Sequence, residues 1–279
     1  NYSEDRDAFN YSRVRRDLQE AKCVEAVGSR QLPFCLISEE YSPSVALIGD
    51  SHAWAIYDFV DHQMRHMKRG VILLGKGGCP PMLGVEREDL GGCPQAMYSA
   101  VDFVNRNPDI KDVILTGRFA ATLSGVNFGW ETWPGWYALK LDGHPEVTDR
   151  GTIFEEGLKA IIDSLIKNGK MVIILLDVPE LNFSPKSCLE LRGNHSCLID
   201  RSLVEDRQAA YTNIIRHLQK EYHYSVIDLK DFFCDSNHCT AKAENHILYG
   251  DSGHLGFNGN VFLFNSGFWL AESLDAGAN

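Results

Sequence analysis

Five short apolar runs, set between stretches of helical spacing, constrain the fold of this chain more than any other feature. The runs occupy residues 45–48, 71–74, 112–115, 171–176 and 225–229, are rich in Val, Ile and Leu, and are continuous rather than alternating. Strands covered on both faces read this way. AWAIYDFVDHQMRHMK follows the first run, and QAMYSAVDFVNRN, IFEEGLKAIIDSLIKNG and LVEDRQAAYTNIIRHLQKEY precede the third, fourth and fifth, each with apolar residues three or four apart. NGNVFLFNSGFWLAESL closes the chain. Such alternation builds βαβ units, so the predicted fold is α/β: a three-layer α/β/α sandwich around a central, mostly parallel five-stranded sheet. Two segments stand outside the pattern. Residues 1–40 are expected to form an N-terminal extension or linker packed on the domain of residues 41–279. Residues 119–150 are expected to be an aromatic insertion, because GWETWPGWYALKLDGH crowds aromatics into a stretch too long for an ordinary connection.

The net charge of -11 over 279 residues opposes nucleic acid and anionic lipid as partners, since both require a basic face. The longest apolar run, residues 171–176, is far short of the roughly 20 residues a spanning helix needs. The chain begins at Asn1 without an initiator Met or an apolar leader, and is expected to be part of a longer protein. Cysteine usage therefore indicates the compartment. The eight cysteines fall into couples in chain order, Cys23 with Cys35, Cys79 with Cys93, Cys188 with Cys197 and Cys234 with Cys239. Each couple brackets a loop-like stretch such as CPPMLGVEREDLGGC or CLELRGNHSC, so sequential disulfides are expected, and with them periplasm, secretion or a cell surface. Reduced core thiols are one alternative. A zinc site drawing on CDSNHC with Cys188, His195 and Cys197 is the other, although no CxxC knuckle is present.

Ligands in α/β sheets gather beyond the carboxyl ends of the strands, so the turn after the first run carries the most weight. It reads VALIGDSHAWAIYDFV, which places Ser51 at the start of a helix, beside backbone N–H groups able to receive an oxyanion. Asp50 or Ser51 as a plain helix cap would explain the turn equally well. Near the C-terminus, ILYGDSGHLGFNGN sets Asp251 three residues before His254. A nucleophilic serine needs a base, and the base needs a group that fixes its tautomer, which this pair would supply.

GDSHA near the start, GKGGCPPML after the second run, DVILTGRFA at the third and DSGHLGFNGN near the end together resemble the SGNH (GDSL-like) hydrolase superfamily. More narrowly, they resemble the periplasmic SGNH domains fused to acyltransferase-3 membrane proteins. The blocks stand in that family's order across residues 45–260. The resemblance implies a flavodoxin-like arrangement, a catalytic triad of Ser51, Asp251 and His254, and no cofactor or metal. It also implies oxyanion donors at the Ser51 backbone N–H and at Gly78 or its neighbour Gly77. The usual GxND motif is replaced here by LTGRFA, so Arg118 is expected either to donate to the oxyanion or to pair with a carboxylate. His52 is expected to be structural or to contact substrate. Trp130, Trp133, Trp136 and Tyr137 are expected to stack on sugar rings, or else to form a lid or a contact with another domain.

The implied function is O-acyl transfer, most plausibly O-acetyl transfer, through an acyl-serine onto a hydroxyl of a surface glycan such as lipopolysaccharide O-antigen. The acyl donor would be delivered by an upstream acyltransferase-3 membrane domain, which makes the chain a periplasmic part of an inner-membrane protein. A carbohydrate esterase with water as acceptor and an inactive glycan-binding module are the alternatives.

Overall fold

The computed structural model describes residues 15–28, 32–129, 138–190, 197–267 and 270. Its central sheet has six strands in the order β1-β3-β2-β5-β7-β9. These are β1 (Phe34–Ile37), β2 (Pro43–Gly49), β3 (Gly70–Gly75), β5 (Asp112–Thr116), β7 (Met171–Leu176) and β9 (Ser225–Asp228). β2, β3, β5, β7 and β9 coincide with the five apolar runs and are mutually parallel. The sheet is one strand wider than expected. β1, from the segment ahead of residue 41, runs antiparallel along β3 with Phe34 opposite Gly75. Four residues at a sheet edge carry too little pattern to be told from a loop.

Every residue of β3 and β5 is buried, as continuous apolar strands between two helical layers require. One layer holds α3 (Cys93–Arg106) and α5 (Arg150–Lys167), with Met97, Phe154 and Leu158 in its core. The other holds α2 (Ser51–His66) and α7 (Phe257–Asn265), with Tyr57, Phe59 and Leu263 in its core. α6 (Arg201–Leu218) feeds both, through Tyr211 and Ile215 on one side and Val204 on the other. α1 (Arg16–Val27) precedes β1. Short ribbons pair β4 (Val85–Arg87) with β6 (Leu139–Leu141), β8 (Leu198–Asp200) with β10 (His238–Thr240), and β11 (Lys242–Ala243) with β12 (His246–Ile247). The aromatic insertion opens as structure rather than loop: α4 (Phe119–Ser124) starts it, with Phe119 fully buried against Phe154 and Tyr211.

Cys23–Cys35, Cys79–Cys93 and Cys234–Cys239 are disulfides. The fourth expected couple is not. Cys188 and Cys197 are buried free thiols whose side chains stay in contact, and the Cys197 thiol also donates to the Cys188 carbonyl oxygen at 3.6 Å. Burial, then the Cys197 contact, pushes the Cys188 thiol up to about 12. Peptide mapping of the unreduced chain should join only the three bonded couples. Replacing Cys79 and Cys93 by Ala should cost roughly 3 kcal/mol in denaturant unfolding, the order set by closing a loop of about 15 residues.

Candidate active site

β2 lies at the point where the chain reverses direction across the sheet, continuing to β3 on one side and to β5 on the other. A crevice opens at the carboxyl ends of such strands. Gly49 ends β2 between Gly75 and Thr116, and a Cβ there would lie 1.9 Å from the Thr116 carbonyl oxygen. Only glycine lets the three strand ends close up. Asp50 then caps α2: its Oδ1 accepts from the His52 N–H at 2.8 Å and its Oδ2 from the Arg118 N–H at 2.9 Å. One buried carboxylate thus ties the β2 turn to the β5 turn. Ser51 occupies the first helical position, where the backbone N–H has no acceptor within the helix and can serve an anion.

The hydroxyl of Ser51 meets a loop 203 residues away: His254 Nε2 lies 2.7 Å from Ser51 Oγ. His254 Nδ1 lies 2.7 Å from Asp251 Oδ2. Asp251 Oδ1 accepts the backbone N–H groups of Gly253 at 2.9 Å and His254 at 2.7 Å, so the carboxylate folds its own loop while orienting the ring. Burial alone would lower the proton affinity of His254. The Asp251 hydrogen bond and charge, aided by Asp50 and Asp177, outweigh it and raise the imidazole above its ordinary value. For Asp251 burial pulls upward, and its hydrogen bonds from His254 and Gly253 hold it well below the usual carboxylate range. A hydroxyl facing such an imidazole can lose its proton as it attacks a carbonyl.

A second His–Asp pair lies beneath. His52 is buried, its Nδ1 is 2.9 Å from Asp177 Oδ1, and its ring centre is 4.4 Å from that of His254. Burial first, then the His254 charge, depresses the His52 imidazole to about 3, which keeps it uncharged beside His254. Of the two roles expected for Arg118, the structure contains the pairing one: its Nε donates to Glu180 Oε1 at 2.6 Å. Arg207 Nε donates to the other oxygen of the same carboxylate at 2.6 Å. Gly78 adopts φ +73°, and its carbonyl accepts from Arg87 Nη1 at 2.7 Å. Trp130, Trp133, Trp136 and Tyr137 lie outside the described residues.

Sequence reasoning missed Asp177, Glu180 and Arg207. The first two were within reach, because DVPEL directly follows the apolar run of β7 and so stands at the carboxyl edge of the sheet. Arg207, inside a helix, carries no such signal.

A sequence model of the family described as "SGNH domain (fused to AT3 domains)" matches residues 22–265. No curated protein matches at a significant level. Among solved structures, the periplasmic domain of a lipopolysaccharide acetyltransferase of Salmonella ser. Paratyphi A is similar over 98% of this chain and 99% of its own, at 16% identity and a TM-score of 0.63. TesA is similar over 84% and 98%, at 8% identity and 0.47. The acetyl xylan esterase AlAXEase is similar over 80% and 96%, at 20% identity and 0.45. At 16% identity the likeness to the Salmonella domain is one of fold.

Proposed function

The chain belongs to the family of SGNH domains fused to AT3 domains, and on that premise we propose that it is an O-acetyltransferase domain working through an acetyl-serine. The observation that carries the reading is the hydrogen-bonded series Asp251, His254, Ser51, with 2.7 Å at each side-chain contact. In the first half-reaction Ser51 Oγ attacks the acyl carbonyl while His254 Nε2 takes the hydroxyl proton. The negative charge on the carbonyl oxygen falls to the Ser51 backbone N–H, with Gly78 and Arg118 as further donors. His254 returns the proton to the leaving group, and the acetyl group stays on Ser51. In the second half-reaction a sugar hydroxyl attacks the acetyl-serine, His254 takes its proton and delivers it to Ser51 Oγ, and the free serine is restored.

The acceptor is a hydroxyl of a bacterial surface glycan, with lipopolysaccharide O-antigen as the leading candidate. Trp130, Trp133, Trp136 and Tyr137 supply the flat apolar faces on which sugar rings pack. The acyl donor comes from a membrane acyltransferase-3 domain, and the reaction takes place in the periplasm, where disulfides such as Cys79–Cys93 persist.

The test is capture of the intermediate. With an aryl acetate, mass spectrometry should find acetyl on the Ser51 peptide, and a surface oligosaccharide should speed its loss while acetyl appears on the sugar. An adduct that decays at one rate with or without glycan would make the chain a carbohydrate esterase. Absence of both adduct and turnover would leave a glycan-binding module.

A further inference from the structure

Glu180 lies outside the triad, on the segment leaving β7, and is 3% exposed. Burial alone would push its carboxyl upward, but Arg118 and then Arg207 outweigh burial and keep it ionised. A buried ion network of this kind holds a fold together no better than well-packed apolar residues would, because each charge must be taken out of water. What it touches is therefore informative.

It touches the underside of the Asp251–His254 loop. The Arg118 guanidinium packs against Gly253, where an added Cβ would lie 3.5 Å from both Nε and Nη2. One residue past Glu180, the Leu181 N–H donates to the Ser252 carbonyl at 2.7 Å. Three residues before it, Asp177 holds His52 against His254. The other anchor, Arg207, ties the carboxylate outward, with Nη1 donating to Ser124 Oγ at 2.9 Å and Nη2 to the Val126 carbonyl at 2.8 Å.

We propose that Glu180 is a positioning residue of the acyl-transfer centre: it holds Arg118 beneath the Asp251–His254 loop and cancels one of two arginine charges there, which fixes the approach of His254 to Ser51 and keeps that imidazole basic. The proposal rests on the triad reading above. The charged and titratable groups around His254 are Asp251 on its own loop, Asp50 and His52 at the start of α2, Asp177 after β7, and the Arg118–Glu180–Arg207 trio. That trio carries one net positive charge, and without Glu180 it carries two. A second positive charge disfavours the imidazolium form of His254.

The experiment follows kcat and KM for an aryl acetate across pH in Glu180→Gln and in Glu180→Gln/Arg207→Met, with melting temperature recorded for each. In Glu180→Gln, kcat should fall roughly 10-fold to 100-fold, as expected for a displaced catalytic group. KM should change less than about threefold, and the acid limb of kcat/KM should move to lower pH by roughly half a unit. The double variant has the net charge of the wild type, so its acid limb should return while kcat stays low, because Arg118 still lacks its carboxylate. It also removes one of the two crowded arginines, and carries the test if the single variant does not fold. A folded variant with wild-type kcat and pH profile would overturn the proposal, and so would, in Glu180→Gln, a fall in kcat that tracks melting temperature with the acid limb unmoved. Ser51→Ala is measured alongside. Turnover surviving there would defeat the triad reading itself, whatever the Glu180 variants do.

Discussion

Ser51→Ala and His254→Ala should each reduce kcat for an aryl acetate by roughly 10,000-fold or more, and the double variant should lose no more than the worse single one. The reason is the 2.7 Å contact between Ser51 Oγ and His254 Nε2. A hydroxyl without its base is a poor nucleophile, and a base without its hydroxyl has no proton to take. Either deletion therefore empties the same step. Steady-state rates of the three variants, each checked for native folding, decide the matter: losses that multiply would mean that the two side chains act separately, and the assignment of a joint role would fall.

Asp251→Asn should be nearly as damaging, by roughly 1,000-fold to 10,000-fold in kcat, because an amide can leave the wrong His254 tautomer facing Ser51. Its pH signature is separate from its rate effect. His254 must be neutral to act as base, and its proton affinity is raised above the ordinary imidazole value. Wild-type kcat/KM should accordingly climb through a pH higher than an unperturbed imidazole would set, and be lost below it. Removing the Asp251 carboxylate deletes the hydrogen bond and charge that raise His254 and leaves the burial that lowers it. The acid limb should then move to lower pH. A limb that stays put, or moves upward, would show that Asp251 does not set the protonation of His254.

The parallel core of the sheet was legible because strands buried on both faces leave unbroken apolar runs, and residues 45–48 or 171–176 admit little else. Ser51, Asp251 and His254 were legible because each stands where an element begins or ends, Ser51 at the start of α2 and the other two just ahead of α7. Residues that meet only through the fold were not. Asp177 is 125 positions from the His52 it holds, and Glu180 is 62 from Arg118, so no local pattern links them. The Cys188–Cys197 expectation failed for a related reason: loop composition brings two thiols into contact without fixing the geometry an S–S bond needs. Arg118 shows the limit most clearly. Sequence offered it a carboxylate or an oxyanion without naming the carboxylate, and its pairing with Glu180 depended on where β7 ends.

Asp251 and His254 are set by their own four-residue loop, since one carboxylate both shapes the turn and orients the ring. The two side chains therefore travel as a single cassette. The short ribbon of β11 and β12, which leads into that cassette, can lengthen, shorten or be rewritten over evolutionary time without disturbing the Asp–His angle. What has to be inherited intact is the seating of the cassette against the tip of β2 and against Arg118 and the Leu181 N–H beneath it. A lineage could in this way redesign the loops around the site and still bring the same imidazole to the same serine.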